Sequence, residues 1–475
     1  MSASPRPAPR KPIPIVPVES ASVGLYEAHR KIYARSIQGV FARWRWAMVF
    51  LTQIVFYGLP WLEWGQRQMV LFDLAARRFY LFGLVLYPQD LIYLTGLLVV
   101  SALLLFLFTA VAGRLWCGYA CPQTVYTQMF MWVEEKIEGP RSARMRLDKG
   151  ALSMEKGVKK SFKHLVWLGI ALWTGFTFVG YFTPIRELGM AFLQTRMGSW
   201  EVFWAFFYGF ATYGNAGFMR EQVCKYMCPY ARFQGAMFDR DTLIVSYDAA
   251  RGEARGARGK QHDRAGLGDC IDCTLCVQVC PTGIDIREGL QYECIGCGLC
   301  VDACNTVMAK MAYPPGLIRY ATQNGMAGRW SARQVLRRVL RPRVLVYSAL
   351  LGVLCLGLLA SLVVRTPLKV DVVRDRASLA RIAEGGMLEN VYRLQLMNAT
   401  ERPQRYAIAV RGLEGLSVAS GASLEVQPAE SRWVAVRLQL PYGSAAPGSH
   451  TVHFDVRSED GASHVSEKAI FLVPR

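Results

Sequence analysis

The chain has 475 residues, 52% of them hydrophobic, and its 55 Lys and Arg against 36 Asp and Glu give a formal net charge of +19. That length invites two or three domains rather than one. High apolar content paired with strong basicity fits membrane helices joined by basic loops. It speaks against nucleic acid as a partner, because the Lys and Arg flank apolar runs and no recognition motif accompanies them.

Residues 1–42 carry Pro5, Pro7, Pro9, Pro12, Pro14 and Pro17 among Arg6, Arg10 and Lys11. Such a segment cannot pack a core and reads as a disordered cytoplasmic arm. The first apolar run begins only near Trp44, too late for a cleavable signal peptide. Five stretches, near 44–62, 89–112, 162–183, 199–218 and 344–364, have the roughly 20 residues needed to cross a hydrocarbon layer of about 30 Å. The run from Leu91 to Ala112 is uncharged, whereas that around Trp204 is short, aromatic and interrupted by Gly209 and Gly214.

Lys and Arg cluster before the first stretch (Arg30, Lys31, Arg35, Arg43, Arg45) and before the third (Arg141 to Lys163), which marks those sides as cytoplasmic. Alternation then places the N-terminus and 219–343 inside and everything after Thr366 outside. The expected division is an arm over 1–42, transmembrane helices over 43–240, a cytoplasmic cluster-binding domain with linker over 241–343, a last span over 344–365 and a periplasmic domain over 366–475. That last region, without cysteine, alternates with period two in Val391–Leu396, Arg405–Val410 and Trp433–Leu440. It predicts an immunoglobulin-like β-sandwich. The expected fold class is therefore a multi-domain membrane protein: an α-helical bundle of about five spans, a tandem ferredoxin-like domain and a C-terminal sandwich.

Twelve of the thirteen cysteines fall into four motifs, and none lies beyond Cys355, so their chemistry is that of a reducing compartment rather than of disulfides. Cys270-x2-Cys273-x2-Cys276-x3-Cys280-Pro281 is repeated as Cys294-x2-Cys297-x2-Cys300-x3-Cys304. Three close cysteines let one loop wrap three corners of a cubane, and the fourth corner comes from the other copy. Cys270, Cys273, Cys276 and Cys304 are thus expected to hold one [4Fe-4S] cluster, and Cys294, Cys297, Cys300 and Cys280 a second. Structural zinc would accept paired cysteines, but two complete tandem copies favour clusters. Asn305 stands where the first copy has Pro281, which loosens the turn without removing a ligand.

Cys117-Gly-Tyr-Ala-Cys121-Pro122 follows the second stretch, and Cys224-Lys-Tyr-Met-Cys228-Pro229 follows the fourth. On a helix, positions i and i+4 face the same way, so each pair offers two sulfurs. Brought together, Cys117, Cys121, Cys224 and Cys228 suit Cu(I), a further cluster or a redox-active dithiol, and the bland alternative is packing. Met227 is a candidate thioether ligand beside them. Cys355, between leucines, reads as apolar filler. No histidine pair is placed to clamp a haem, and no nucleotide-binding glycine motif is present. Electrons must therefore arrive from an unidentified donor.

The order of two Cys-x3-Cys-Pro motifs, a tandem ferredoxin segment, a last span and a β-rich tail resembles the cytochrome c oxidase accessory family known as CcoG, FixG or RdxA. The resemblance covers nearly the whole chain after about residue 25. The Cys-x3-Cys-Pro pairs are also shared with NapH- and NosR-type proteins, so the tail narrows the choice. The resemblance implies an inner-membrane reductase that turns Cu(II) into Cu(I) for copper-delivery and assembly proteins of the cbb-type oxidase. Copper would be the substrate, held near Cys117, Cys121, Cys224 and Cys228. Alternatives are a relay between quinol and a partner redox protein, or a copper-binding scaffold without turnover. A homodimer is compatible with any of them.

Overall fold

The computed structural model describes residues 31–258, 266–328, 330–375 and 380–474. Most of the expected arm lies outside the described residues. Three helices among them are long and apolar enough to cross a membrane: Pro88–Ala112, Met154–Val179 and Pro342–Val364.

The expectation of about five spans is thereby corrected. Helix Val40–Gly58 carries Arg43 and Arg45 near its start, and two charges within 19 residues pull it below the hydropathy of a span. Helix Ser199–Gly214 stops after 16 residues and passes into a π-helical turn, Asn215–Met219, which leaves it too short.

The helices Leu91–Ala112 and Pro342–Val364 run antiparallel and are latched at both ends. Arg365 Nη2 meets Asp90 Oδ2 at 2.6 Å, with both side chains buried. At the other end Arg341 Nη2 donates to the carbonyl of Ala110 at 2.7 Å. Met154–Val179 packs on Ser199–Gly214 so closely that a Cβ at position 175 would overlap the Ala205 carbonyl, so only glycine fits there.

Between Val40–Gly58 and the first long span the chain forms a small antiparallel sheet of Val70–Asp73, Arg78–Leu81 and Leu84–Leu86, which sequence reading missed. Its Leu71, Tyr80, Val85 and Tyr87 share one core with Met397, Ala399 and Ala429 from the C-terminal region. The Tyr87 hydroxyl donates to the Asn398 carbonyl at 3.1 Å.

The C-terminal region holds two antiparallel sheets. Met387–Asn398 is central in one, flanked by Leu368–Arg374 and Ser431–Pro441. Gln404–Arg411 and Gly448–Ser458 are central in the other. Alternate residues such as Leu394, Leu396, Val436 and Phe454 are fully buried in a core shared by both. The expected immunoglobulin-like sandwich is also corrected. Neither sheet closes or curls, each ending in edge strands: Ser417–Ser420 and Leu368–Arg374 in one, Ser423–Val426 and His464–Val473 in the other. Period-two alternation dictates which face is buried, and says nothing of how edges are finished.

The cysteine-rich segment folds around Val245, Cys276, Ile284, Ile286, Val301 and Ile318. It abuts the Ala112 end of helix Leu91–Ala112, where the Leu243 amide donates to the Val111 carbonyl at 3.0 Å. The cysteine motifs and the C-terminal sheets thus lie at opposite ends of the long antiparallel helices.

Candidate functional site

Each copy of the cysteine repeat is built from the same backbone device. Left-handed residues stand on either side of the middle cysteine: Asp272 and Thr274 around Cys273, Gly296 and Gly298 around Cys297. The two reversals curl each loop around a hollow, and a helix then begins, Leu275–Gln278 in one copy and Leu299–Lys310 in the other. Asp272 and Thr274 adopt this conformation without being glycine, at a cost the rest of the loop must offset. Pro281 follows the short first helix, whereas Asn305 lets the second run on to Lys310 and accepts from the Gly316 amide at 2.8 Å.

Two cavities result. One is lined by Cys270, Cys273, Cys276 and Cys304, the other by Cys280, Cys294, Cys297 and Cys300, and Cys276 stands in the wall of both. Burial pushes the thiols up, Cys276 to about 11 and Cys294 and Cys304 to about 12. Metal binding at these sites must therefore displace protons. Among the described residues no three His, Cys, Asp or Glu side chains converge as a single ion would require. Soft sulfurs spaced around apolar hollows fit the wider [4Fe-4S] group instead.

In the Cys-x3-Cys-Pro motifs the two cysteines do not share one helix as expected. Cys117 lies in the short helix Leu115–Tyr119, while Cys121 caps Pro122–Glu138. Cys224 lies in the π-helical turn Val223–Met227, while Cys228 caps Pro229–Met237. Proline at the first helical position, lacking an N–H, makes each second cysteine a helix boundary. The four thiols are within electrostatic reach of one another: Cys117 senses Cys121 and Cys224, and Cys121 senses Cys228. Burial pushes Cys117 up to about 12 and Cys224 up to about 11. Met227 is 57% exposed beside them.

These motifs press on the second cysteine loop. A Cβ at Gly118 would stand 2.8 Å from the Ile295 carbonyl oxygen and 3.0 Å from Cys297 Cα, so the two backbones touch there. Arg114, buried, donates to the carbonyls of Tyr292 and of Ala231, the latter at 2.6 Å, and lies over the Tyr292 ring at 4.7 Å. Lys225 reaches Glu293 at 3.6 Å.

Several residues around the site carried no sequence signal. Gln234, fully buried, accepts from the Cys117 thiol at 3.4 Å. Glu134, also fully buried, gathers Lys31 at 3.0 Å, Arg220 at 2.9 Å and Arg144 at 3.5 Å. Burial works to raise its carboxyl, yet Arg220 and Lys31 prevail and hold it down to about 2. Arg45 is buried, and all three of its guanidinium nitrogens lack a hydrogen-bond partner among the described residues.

Comparison with known proteins adds three family profiles. One described as a 4Fe-4S dicluster domain matches residues 219–323, and one described as a 4Fe-4S binding domain matches 94–140. Cluster-type sequence thus also covers Cys117 and Cys121, for which a further cluster is one of the alternatives their spacing leaves open. The third, described as an IG-like fold at the C-terminal of FixG, matches 358–474. The chain is 37% identical to the nitrogen fixation protein FixG of Rhizobium meliloti, over 93% of this chain and 92% of that one. It is 39% identical to protein RdxA of Cereibacter sphaeroides, over 92% and 95%. Ferredoxin-type protein NapH of Haemophilus influenzae is 24% identical over 41% of this chain and 57% of its own.

Proposed function

This chain belongs to the FixG/RdxA/RdxB family of iron-sulfur electron-transfer proteins, and from that premise we propose that it is a cupric reductase of the inner membrane, passing single electrons to copper at the Cys-x3-Cys-Pro thiols. The observation that carries the proposal is the backbone contact at Gly118, which sets Cys117 against the loop of Cys294, Cys297 and Cys300.

In this reading Cys270, Cys273, Cys276 and Cys304 hold one [4Fe-4S] cluster and Cys280, Cys294, Cys297 and Cys300 the other. When bound, each supplies one electron at a time. Cys276, in the wall of both cavities, leads from one to the other, and Gly118 and Tyr119 lead on to Cys117. Each Cu(II) takes one electron and becomes Cu(I), which thiolate sulfur favours over Cu(II). Cys117, Cys121, Cys224 and Cys228 draw together on the substrate, with the exposed Met227 as a thioether at the mouth. Arg114 fixes the two motifs in place.

The basic residues from Arg141 to Lys163 gather at the cysteine end of the long helices, which supports a cytoplasmic placement of that end and a periplasmic one for the sheets. The domain boundaries named above follow the same division. Copper-delivery and oxidase-assembly proteins are the partners this reading implies.

The test is anaerobic. The detergent-purified protein is reduced, Cu(II) is added, and cluster absorbance and Cu(I) are followed together. Reoxidation in step with Cu(I), lost when all four Cys-x3-Cys-Pro cysteines are serine, is the expected result. Undiminished reduction in that variant would overturn the proposal. The cluster-type match over 94–140 favours one second reading, in which those four cysteines hold a further cluster. More than about eight irons per chain would establish it.

A further inference from the structure

We propose that Arg45 selectively raises the reduction potential of the cluster held by Cys280, Cys294, Cys297 and Cys300, by presenting an unshared positive charge beside Cys297. The inference rests on the ligand sets of the proposed function.

Arg45 is 1% exposed, and none of Nε, Nη1 and Nη2 has a hydrogen-bond partner among the described residues. A buried guanidinium without hydrogen bonds is costly unless something negative faces it. The helix that carries it supplies its address. The Ala42 amide donates to Asp302 Oδ2 at 2.8 Å, and the Phe41 ring fills the space over Gly298, the residue after Cys297. Arg45 lies one helical turn beyond Phe41. There it lines one cavity with Pro281 and Leu299, the chain neighbours of Cys280 and Cys300, and the Tyr119 hydroxyl donates to the Cys297 carbonyl on the same loop. Asp302, on the helix that follows, accepts from the Ala42 amide and makes no ion pair with Arg45 among the described residues.

The other cavity is treated differently. Its lining cation is Arg287, and that guanidinium is tied to Asp285 at 2.6 Å and to Asp272. One hollow therefore faces a cation ion-paired with two carboxylates, the other a cation ion-paired with none among the described residues. A [4Fe-4S] group with its four thiolates is anionic and gains one further negative charge on reduction. Its potential follows the net charge and hydrogen bonds around it. An unshared cation at low local dielectric stabilises the reduced form and acts most strongly on the group beside it. Electrons then collect in the cavity that abuts Cys117, the side from which the substrate would draw them.

The test is a redox titration with paramagnetic-resonance detection on the full-length, iron-loaded protein in detergent, with wild type beside Arg45→Gln, Arg45→Lys and Arg45→His. In Arg45→Gln one of two cluster signals is expected to become about tenfold harder to reduce, about 59 mV for one electron, while the other stays. The moving signal is the one lost in Cys300→Ser and kept in Cys273→Ser. Arg45→Lys keeps most of the wild-type potential. In Arg45→His that signal alone falls as pH rises and the imidazole loses its charge, which carries the test if the glutamine variant does not load iron. Signals that hold their wild-type potentials in Arg45→Gln, or that move together, overturn the inference while normal iron content leaves the ligand sets standing. Iron far from about eight per chain overturns the ligand sets themselves, and the inference with them.

Discussion

The Tyr119 hydroxyl donates to the carbonyl of Cys297 at 3.0 Å, tying the turn that carries Cys117 to the loop that lines the second cavity. Tyr119→Phe removes this bond and the hydroxyl's side-chain contact with Tyr320. It is expected to lower stability by about 0.5–1.5 kcal/mol. Thermal loss of cluster absorbance in detergent reads the effect, and an unchanged midpoint would mean that the tie carries no weight.

Gly118→Ala is expected to be worse than its size suggests. The new methyl meets backbone on the other side, at Ile295 and Cys297, and backbone cannot swing away. Overpacking of this kind costs about 1–3 kcal/mol. The variant should also slow reoxidation of the reduced protein by Cu(II), because relief comes only by parting the two loops. A wild-type rate would show that electrons do not cross there.

The crossed ligand sets are tested by their remote members. Cys304→Ser is expected to cost about four irons and the signal of the cavity lined by Cys270, Cys273 and Cys276. Cys280→Ser is expected to cost the other four. If either serine variant abolishes the opposite signal instead, the sets are not crossed.

Glu134 contributes stability through a folded-state value of about 2 against an ordinary 4.5. A depressed carboxyl contributes fully above about 4.5 and loses its contribution as pH falls from there towards about 2. The difference corresponds to on the order of 3 kcal/mol. Glu134→Gln should forfeit it at neutral pH, leaving Lys31, Arg144 and Arg220 around a neutral amide. Melting curves of variant and wild type should draw together as pH falls from about 4.5 and meet only towards about 2. A gap that ignores pH would show that the carboxylate charge is not its source.

What the sequence revealed was what it states locally. The spacing of Cys270 to Cys304 lies within one short segment, so the cavities' members could be read without a fold. The same holds for alternation in Met387–Asn398, whose buried face is written residue by residue. Other features depend on partners far along the chain. The strands Val70–Asp73 and Arg78–Leu81 are four residues each and too short for a periodic signal. Arg45 inside an apolar helix reads as a flank of positive charge, and only the fold shows it enclosed beside Cys297. The π-helical turn after Gly214 has no pattern of its own, so an apolar stretch of adequate length came out as a broken helix. Edge strands likewise leave no mark that distinguishes an open sheet from a closed one.

The core shared by Leu71, Tyr80, Val85 and Tyr87 with Met397, Ala399 and Ala429 has a consequence for the order of assembly. Its first half leaves the ribosome some three hundred residues before its second, as the sequence positions show. The early strands must therefore wait with an apolar face uncovered, at the end of the long helices away from the cysteines, until the tail has been synthesised. A chain cut short before Leu368 keeps all thirteen cysteines yet never closes that face. Such a fragment should be taken by proteases at 63–87 while its cysteine-rich half is still folded, so the tail acts as the seal on the opposite end of the molecule.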